Sequence, residues 1–143
     1  MDITGASGAI PRDDWDRMDD HAERYYEEIR KRTSDIAAIS KNTGFTIEDV
    51  ESIKKHIFFN KYHLDKDEPQ TFDPSYDMAV SWQRLIDGKD ILDMDIAMLN
   101  HELLEHKIMS EGNTPYRIAH EQANEMYNYQ AFCDELDGKA GLR

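Results

Sequence analysis

The chain has 143 residues, 39% of them hydrophobic and 33% charged, with 30 acidic against 17 basic side chains and a net charge of −13. That is the length of one domain able to bury a core without disulfide or metal staples, and it is too apolar for a disordered chain. The charge argues against nucleic acid and anionic membrane surfaces, the lone Cys133 excludes an internal disulfide and fits a reducing compartment, and neither an apolar run of about 20 residues nor a charged-then-apolar leader is present.

Residues 1–12 are small and polar and are expected to form a loose arm, with a single helical domain over 13–136 and a frayed tail over 137–143. A first helix is predicted from 13 to about 41, because Trp15, Met18, Ala22, Tyr25, Tyr26, Ile29, Ile36 and Ile39 mostly recur at three- and four-residue steps. Gly44 suits the left-handed position that ends it. Thr46, with Asp49 three residues on, reads as a variant capping box for a second helix over 47–60, buried through Val50, Ile53, Ile57 and Phe58. The polar stretch 61–72, with Pro69, is the longest expected connection. Asp73-Pro74 should start a third helix, 74–87, that buries Met78, Ala79, Trp82, Leu85 and Ile86 and closes at Gly88. Asp90 is the expected cap of a central helix, 90–112, and Thr114-Pro115 opens a last one to about 136. No alternating strand pattern and no repeat is found, so the predicted fold is all-α: one compact domain of five helices and no sheet.

The central helix carries His101-Glu102-Leu103-Leu104-Glu105-His106. A helix turns roughly 100° per residue, which sets His101 and Glu105 about 40° apart on its wheel. Their neighbours there, Met94, Ala97, Met98, Ile108 and Met109, are apolar, whereas Glu102, His106 and Asp95 share a strip that reads as wet. An imidazole and a carboxylate aimed into an oily face need each other, a further partner or a metal ion. On the last helix His120 lies among Tyr116, Ala119, Ala123, Tyr127 and Ala131, and the short turn between the two helices makes them antiparallel neighbours.

Two readings of this cluster follow. In the first, His101, Glu105 and His120 ligate a divalent metal such as Zn²⁺, and Glu102 activates a bound water as in the H-E-x-x-H class. The departure is that Glu105 stands where that motif has its second histidine. In the second reading the same groups form a buried hydrogen-bond network that sets helix register. His56 and His63, which flank Phe58-Phe59, could complete a metal site, but a histidine interacting with a helix terminus is the more ordinary expectation. His21 lies among charges and is expected to be solvated. Cys133 reads as a structural thiol, the aromatic set from Tyr25 to Tyr129 as packing, and Asp65, Asp67, Asp73 and Asp77 lack the pattern of a calcium loop. There is no P-loop, dinucleotide turn or nucleophile elbow.

Several segments resemble the C-terminal helical domain of phage minor head (head-morphogenesis) proteins and related polymorphic-toxin-like proteins. They are His21-Ala22-Glu23-Arg24-Tyr25-Tyr26, Asn42-Thr43-Gly44-Phe45, Phe72-Asp73-Pro74, Trp82-Gln83-Arg84-Leu85 within the stretch from Ala79 to Ile86, His101-Glu102-Leu103-Leu104-Glu105, Ala119-His120 and Tyr127-Asn128-Tyr129. The resemblance implies a module at the end of a larger phage or secreted protein, cytoplasmic or virion-associated, with a protein partner: the phage head, the parent chain or a cognate inhibitor. The expected function is a phage- or toxin-associated effector, a zincin-like metal-dependent hydrolase. The alternatives are a non-enzymatic interaction module of the phage head and an acidic, immunity-type inhibitor of a basic toxin.

Overall fold

A computed structural model of the chain describes residues 14–64 and 68–139; the expected arm over 1–12 and residues 140–143 of the expected tail lie outside these. The described chain runs α1 (Trp15–Lys31), α2 (Asp35–Thr43), α3 (Ile47–Lys54) continuing directly into a π-helical turn (Lys55–Phe59), α4 (Tyr76–Asp87), α5 (Asp93–Gly112), α6 (Tyr116–Met126) and α7 (Tyr129–Lys139). Among the described residues there is no sheet, only an isolated antiparallel bridge between Tyr62 and Gln70 inside the long connection. The class is all-α, as expected, but the helix count is not, because two of the expected helices are broken.

The first break follows α1, where Arg32 turns to extended backbone (ψ 140°). Thr33 and Ser34 are weak helix formers, and the break lets Asp35 turn inward. Asp35 is fully buried and accepts from Lys54 Nζ at 2.9 Å and from Trp82 Nε1 at 3.1 Å. Lys54 also donates to the Arg32 carbonyl at 2.7 Å, so a buried lysine has partners on two sides. The second break lies at Tyr127 and Asn128. Tyr127 leaves helical geometry (φ −139°), and Asn128 Oδ1 accepts from Ala131 N–H at 3.0 Å, which starts α7.

Several helix ends differ from expectation. α4 begins at Tyr76, two residues after Pro74, because Ser75 and not Asp73 accepts from the Met78 N–H at 3.3 Å. α5 begins at Asp93, not Asp90: Asp90 takes a positive φ of 55°, and Asp95 reaches back to accept from Leu92 N–H at 2.9 Å. Asp95 is held in turn by Arg84 through two bonds of 2.8 and 2.7 Å, so this acid is buried where a wet strip was expected. Thr46 does cap α3, accepting from Asp49 N–H at 3.0 Å, and Gly44 and Gly88 end α2 and α4 in the left-handed region.

The core joins Tyr25, Tyr26 and Ile29 of α1 to Ile53 of α3, Ile57 and Phe58 of the π-helical turn, Trp82 and Leu85 of α4, and Met98 and Leu99 of α5. Burying each of these side chains is worth about 1.5–3 kcal/mol. α5 is the axis of the molecule, packed by α3 and the π-helical turn, by α4, by α6 and by α7. His21, expected in solvent, is buried instead: α1 packs on α4 there, and the ring stacks near Tyr25 (6.0 Å) and meets Tyr76 edge-on (5.5 Å).

Candidate metal centre

Glu105 is the hub of the site. It is on the fourth turn of α5, on the flank that faces both the π-helical turn and α6, and it is buried. Its Oε2 lies 3.1 Å from His101 Nε2, one helical turn earlier, and 2.8 Å from His120 Nδ1 on α6. Its Oε1 lies 2.7 Å from Nε2 of His56, which the π-helical turn presents. π-Helical turns insert a residue into the α-helical register and are frequent at functional sites, and this one points the fully buried His56 at α5.

Glu102 is the other correction to the helical wheel. It is buried beside the cluster, not on a wet strip, with Oε2 3.3 Å from His56 Nε2. His106, half-buried, packs edge-on against the His56 ring at 5.5 Å. Burial, and after it the electrostatic influence of the neighbouring His56, pulls the His106 pKa below its usual value. His63 is exposed.

The remaining ring nitrogens are tied down from behind. His101 Nδ1 is 3.0 Å from the Tyr127 carbonyl, which accepts and therefore requires an N–H there. The break between α6 and α7 releases that carbonyl from helical bonding. His56 Nδ1 lies 2.6 Å from Tyr62 Oη, which also accepts from Asn60 Nδ2 at 3.1 Å. His120 Nε2 lies 3.4 Å from Asn124 Nδ2, one turn on.

The electrostatics follow from two carboxylates in one buried place. Burial and the Glu105 charge push the Glu102 carboxyl up to about 7, against the opposing pull of His56, His101 and His120. Burial would raise Glu105 too, but hydrogen bonds from His101, His120 and His56 outweigh it and hold that carboxyl well below the usual range. For His101 burial lowers the pKa, and the bond to Glu105 with the charges of Glu102 and Glu105 outweighs it, leaving the ring more basic than usual. With its Nδ1–H given to Tyr127, His101 faces Glu105 either as an imidazolium or with a lone pair on Nε2. That lone pair against a carboxylate is repulsive unless a cation lies between them.

His101, Glu105 and His120 offer ligand atoms that all lie within 4.8 Å of one another, and so do His56, Glu102 and Glu105. Tetrahedral zinc with bonds of about 2.0–2.2 Å spaces its ligand atoms by about 3.3–3.5 Å, so the shortest contacts, 2.7 and 2.8 Å, would open by somewhat over half an ångström and those of 3.1 and 3.3 Å by less. Both groups could hold a metal ion. One more atom speaks to the fit: Asn124 Oδ1 is buried with no hydrogen-bond partner, while its Nδ2 points at His120 Nε2. If His120 Nδ1 ligates a metal, Nε2 carries the proton, and a flipped Asn124 amide accepts it through Oδ1.

A cavity of about 470 Å³ opens onto His101, Glu102, Glu105 and His120. Tyr116 and Phe72 form part of its wall, Asp73 and Asp77 also line it, and no Lys or Arg does among the described residues. His56 lies behind Glu102 and Glu105 and is not part of the wall. The imidazole of His120 is 38% exposed and that of His101 is 3%, so His120 forms the outer edge of the cluster.

No family model, curated protein or solved structure matches the chain. No described helix is long and apolar enough to cross a membrane. Of the sequence-derived candidates, His101, Glu105 and His120 come together at Glu105 Oε2, and Glu102 stands beside them. His56 is the residue whose weight sequence reasoning missed. The signal available was slight: His56 follows Ile53 by three residues and precedes the apolar Ile57-Phe58-Phe59.

Proposed function

We propose that the chain is a metal-dependent hydrolase module, an effector of the phage or toxin type that its segments resemble. His101 Nε2, Glu105 Oε2 and His120 Nδ1 would hold a zinc ion. The observation that carries the reading is the convergence of three ligand atoms, one each on His101, Glu105 and His120, all within 4.8 Å of one another. A bound zinc ion supplies Lewis acidity and makes a coordinated water acidic near neutral pH.

The chain's own groups divide the remaining work. Tyr127 fixes the His101 ring through its carbonyl, and Asn124 fixes His120. Glu102 lines the cavity, and its carboxyl, pushed up to about 7, is matched to accepting a proton at neutral pH and returning it to a leaving group. The wall has carboxylates and aromatic rings but no Lys or Arg among the described residues, which disfavours phosphoanions and favours a neutral or cationic peptide chain. The test is elemental analysis of the purified protein together with hydrolysis of an unfolded polypeptide. Zinc should co-purify, EDTA should abolish cleavage, and Glu102→Gln should lower turnover by about 10²–10⁴-fold. Protein that takes up no metal, with stability indifferent to zinc and EDTA, sinks the proposal.

That outcome would favour a second reading, a non-enzymatic module whose cluster only locks helix register. It has one specific observation behind it: all three imidazoles reach the single carboxylate of Glu105 at 2.7–3.1 Å, and so make a closed network.

A further inference from the structure

We infer that the centre is built for two divalent ions, with Glu105 bridging them: an outer one on His101, His120 and Glu105 Oε2, and an inner one on His56, Glu102 and Glu105 Oε1. This rests on the metal reading above and extends it to a second site.

The geometry divides the ligands without conflict. Glu105 spends its two oxygens on different partners, Oε2 on the α5/α6 histidines and Oε1 on the histidine of the π-helical turn. The two groups share no other residue. On the inner side one nitrogen, His56 Nε2, faces two carboxylate oxygens, at 2.7 and 3.3 Å. A single N–H can serve one of them well. A divalent cation in its place serves both. Behind it, Tyr62 Oη at 2.6 Å stands ready to accept the Nδ1–H that a ligating His56 must carry, and Asn60 holds the Tyr62 oxygen in place.

The two positions differ in access, which assigns their roles. The outer ligands line the cavity and include the partly exposed His120, whereas His56 is fully buried and outside the wall. The outer ion is the exchangeable, substrate-facing one, and the inner ion fixes the Glu102 and Glu105 carboxylates. A pair of ions held by such a shared carboxylate would orient a substrate and supply Lewis acidity from two sides.

The experiment is a titration of metal-free full-length protein with Zn²⁺, read as equivalents bound by calorimetry and by elemental analysis after desalting, and repeated with Mn²⁺ and electron paramagnetic resonance. Wild type should bind two equivalents, with a spin-coupled Mn²⁺ pair. His56→Gln should bind one and lose the coupling, and His120→Ala should lose the other, weaker equivalent. Because His56→Gln alters a buried position, Tyr62→Phe is the companion variant, expected to weaken one equivalent by about 10–100-fold and leave the other unchanged. One equivalent in wild type, unaffected by Tyr62→Phe, overturns the two-ion inference and leaves the single-ion function standing. No equivalents at all overturns both.

Discussion

His56 Nε2 and Glu105 Oε1 meet at 2.7 Å across 49 positions of sequence, and both are buried. This contact ties the π-helical turn to the central helix and depends on a carboxylate with no exposed alternative. Removing one member of a buried ionic group costs about 3–5 kcal/mol, because the partners left behind stay desolvated. Glu105→Ala should therefore lower the stability of the metal-free protein by about that much, read by urea unfolding with EDTA present. A loss under 1 kcal/mol would mean that the three imidazoles do not lean on this carboxylate.

The pH dependence of stability should change sign with metal. Without metal, Glu102 has a folded pKa raised to about 7 from 4.5, so its contribution is fully present below 4.5 and is lost as pH climbs to about 7. His101 is also raised, so its contribution is full below its ordinary 6.5 and is lost above its folded value. Glu105 is depressed, so its contribution holds above 4.5 and is lost as the solution is acidified. The metal-free protein should thus be most stable near pH 4.5–5 and weaken toward pH 8. Metal needs deprotonated ligands, so the zinc-loaded protein should gain stability over the same interval. Unfolding curves at several pH values, with zinc and with EDTA, should cross. Parallel curves would remove the metal from the account.

How much of this could be read beforehand depends on what a linear pattern encodes. The convergence of His101, Glu105 and His120 was legible because i, i+4 spacing and a short turn are local facts. Glu102 and Asp95 were misplaced because a helical wheel assumes one wet side, and α5 is packed by helices around most of its circumference. Asp95 is covered once Arg84 of α4 reaches it, and Glu102 once His56 does. The weight of His56 depends on a π-helical register and on a contact between distant segments, and neither leaves a period in the sequence. The breaks at Arg32 and Tyr127 were hidden because apolar spacing continues through them; what decides them is which backbone and side-chain groups are needed elsewhere, Asp35 by Lys54 and the Tyr127 carbonyl by His101.

Two glycines that end helices should separate backbone strain from crowding. Gly44 has φ +85° and open space where a Cβ would go, so Gly44→Ala should cost only the left-handed strain, about 1–2 kcal/mol. Gly88 has φ +70°, but a Cβ there would come within 2.8 Å of the Asn42 side chain. That amide donates to the carbonyls of Leu85 and Ile86 at 2.9 and 3.0 Å, so it cannot withdraw without uncovering the end of α4. Gly88→Ala should therefore cost more than Gly44→Ala, by about the 0.5–1.5 kcal/mol of a lost hydrogen bond. Thermal unfolding of the two variants side by side decides it, and equal losses would mean that Asn42 is not a working cap.

Asn124 offers the sharpest test of what the cluster is for, because its amide bonds to His120 from behind, at Nε2. Its amide can present either end to Nε2, and so permits both tautomers of the ring. An aspartate at this position only accepts, which commits the proton to Nε2 and the Nδ1 lone pair to the space in front of Glu105. That is the tautomer a metal ligand needs. Asn124→Asp should therefore bind zinc at least as tightly as wild type, whereas Asn124→Ala, which removes the orienting contact, should bind about 10–100-fold more weakly. If the ring served only as a donor to Glu105, across the 2.8 Å bond from His120 Nδ1 to Oε2, none of the three proteins would bind zinc and the substitutions would act on metal-free stability alone. Zinc affinities and metal-free unfolding free energies of the three proteins therefore separate a ligand from a structural donor at a single side chain.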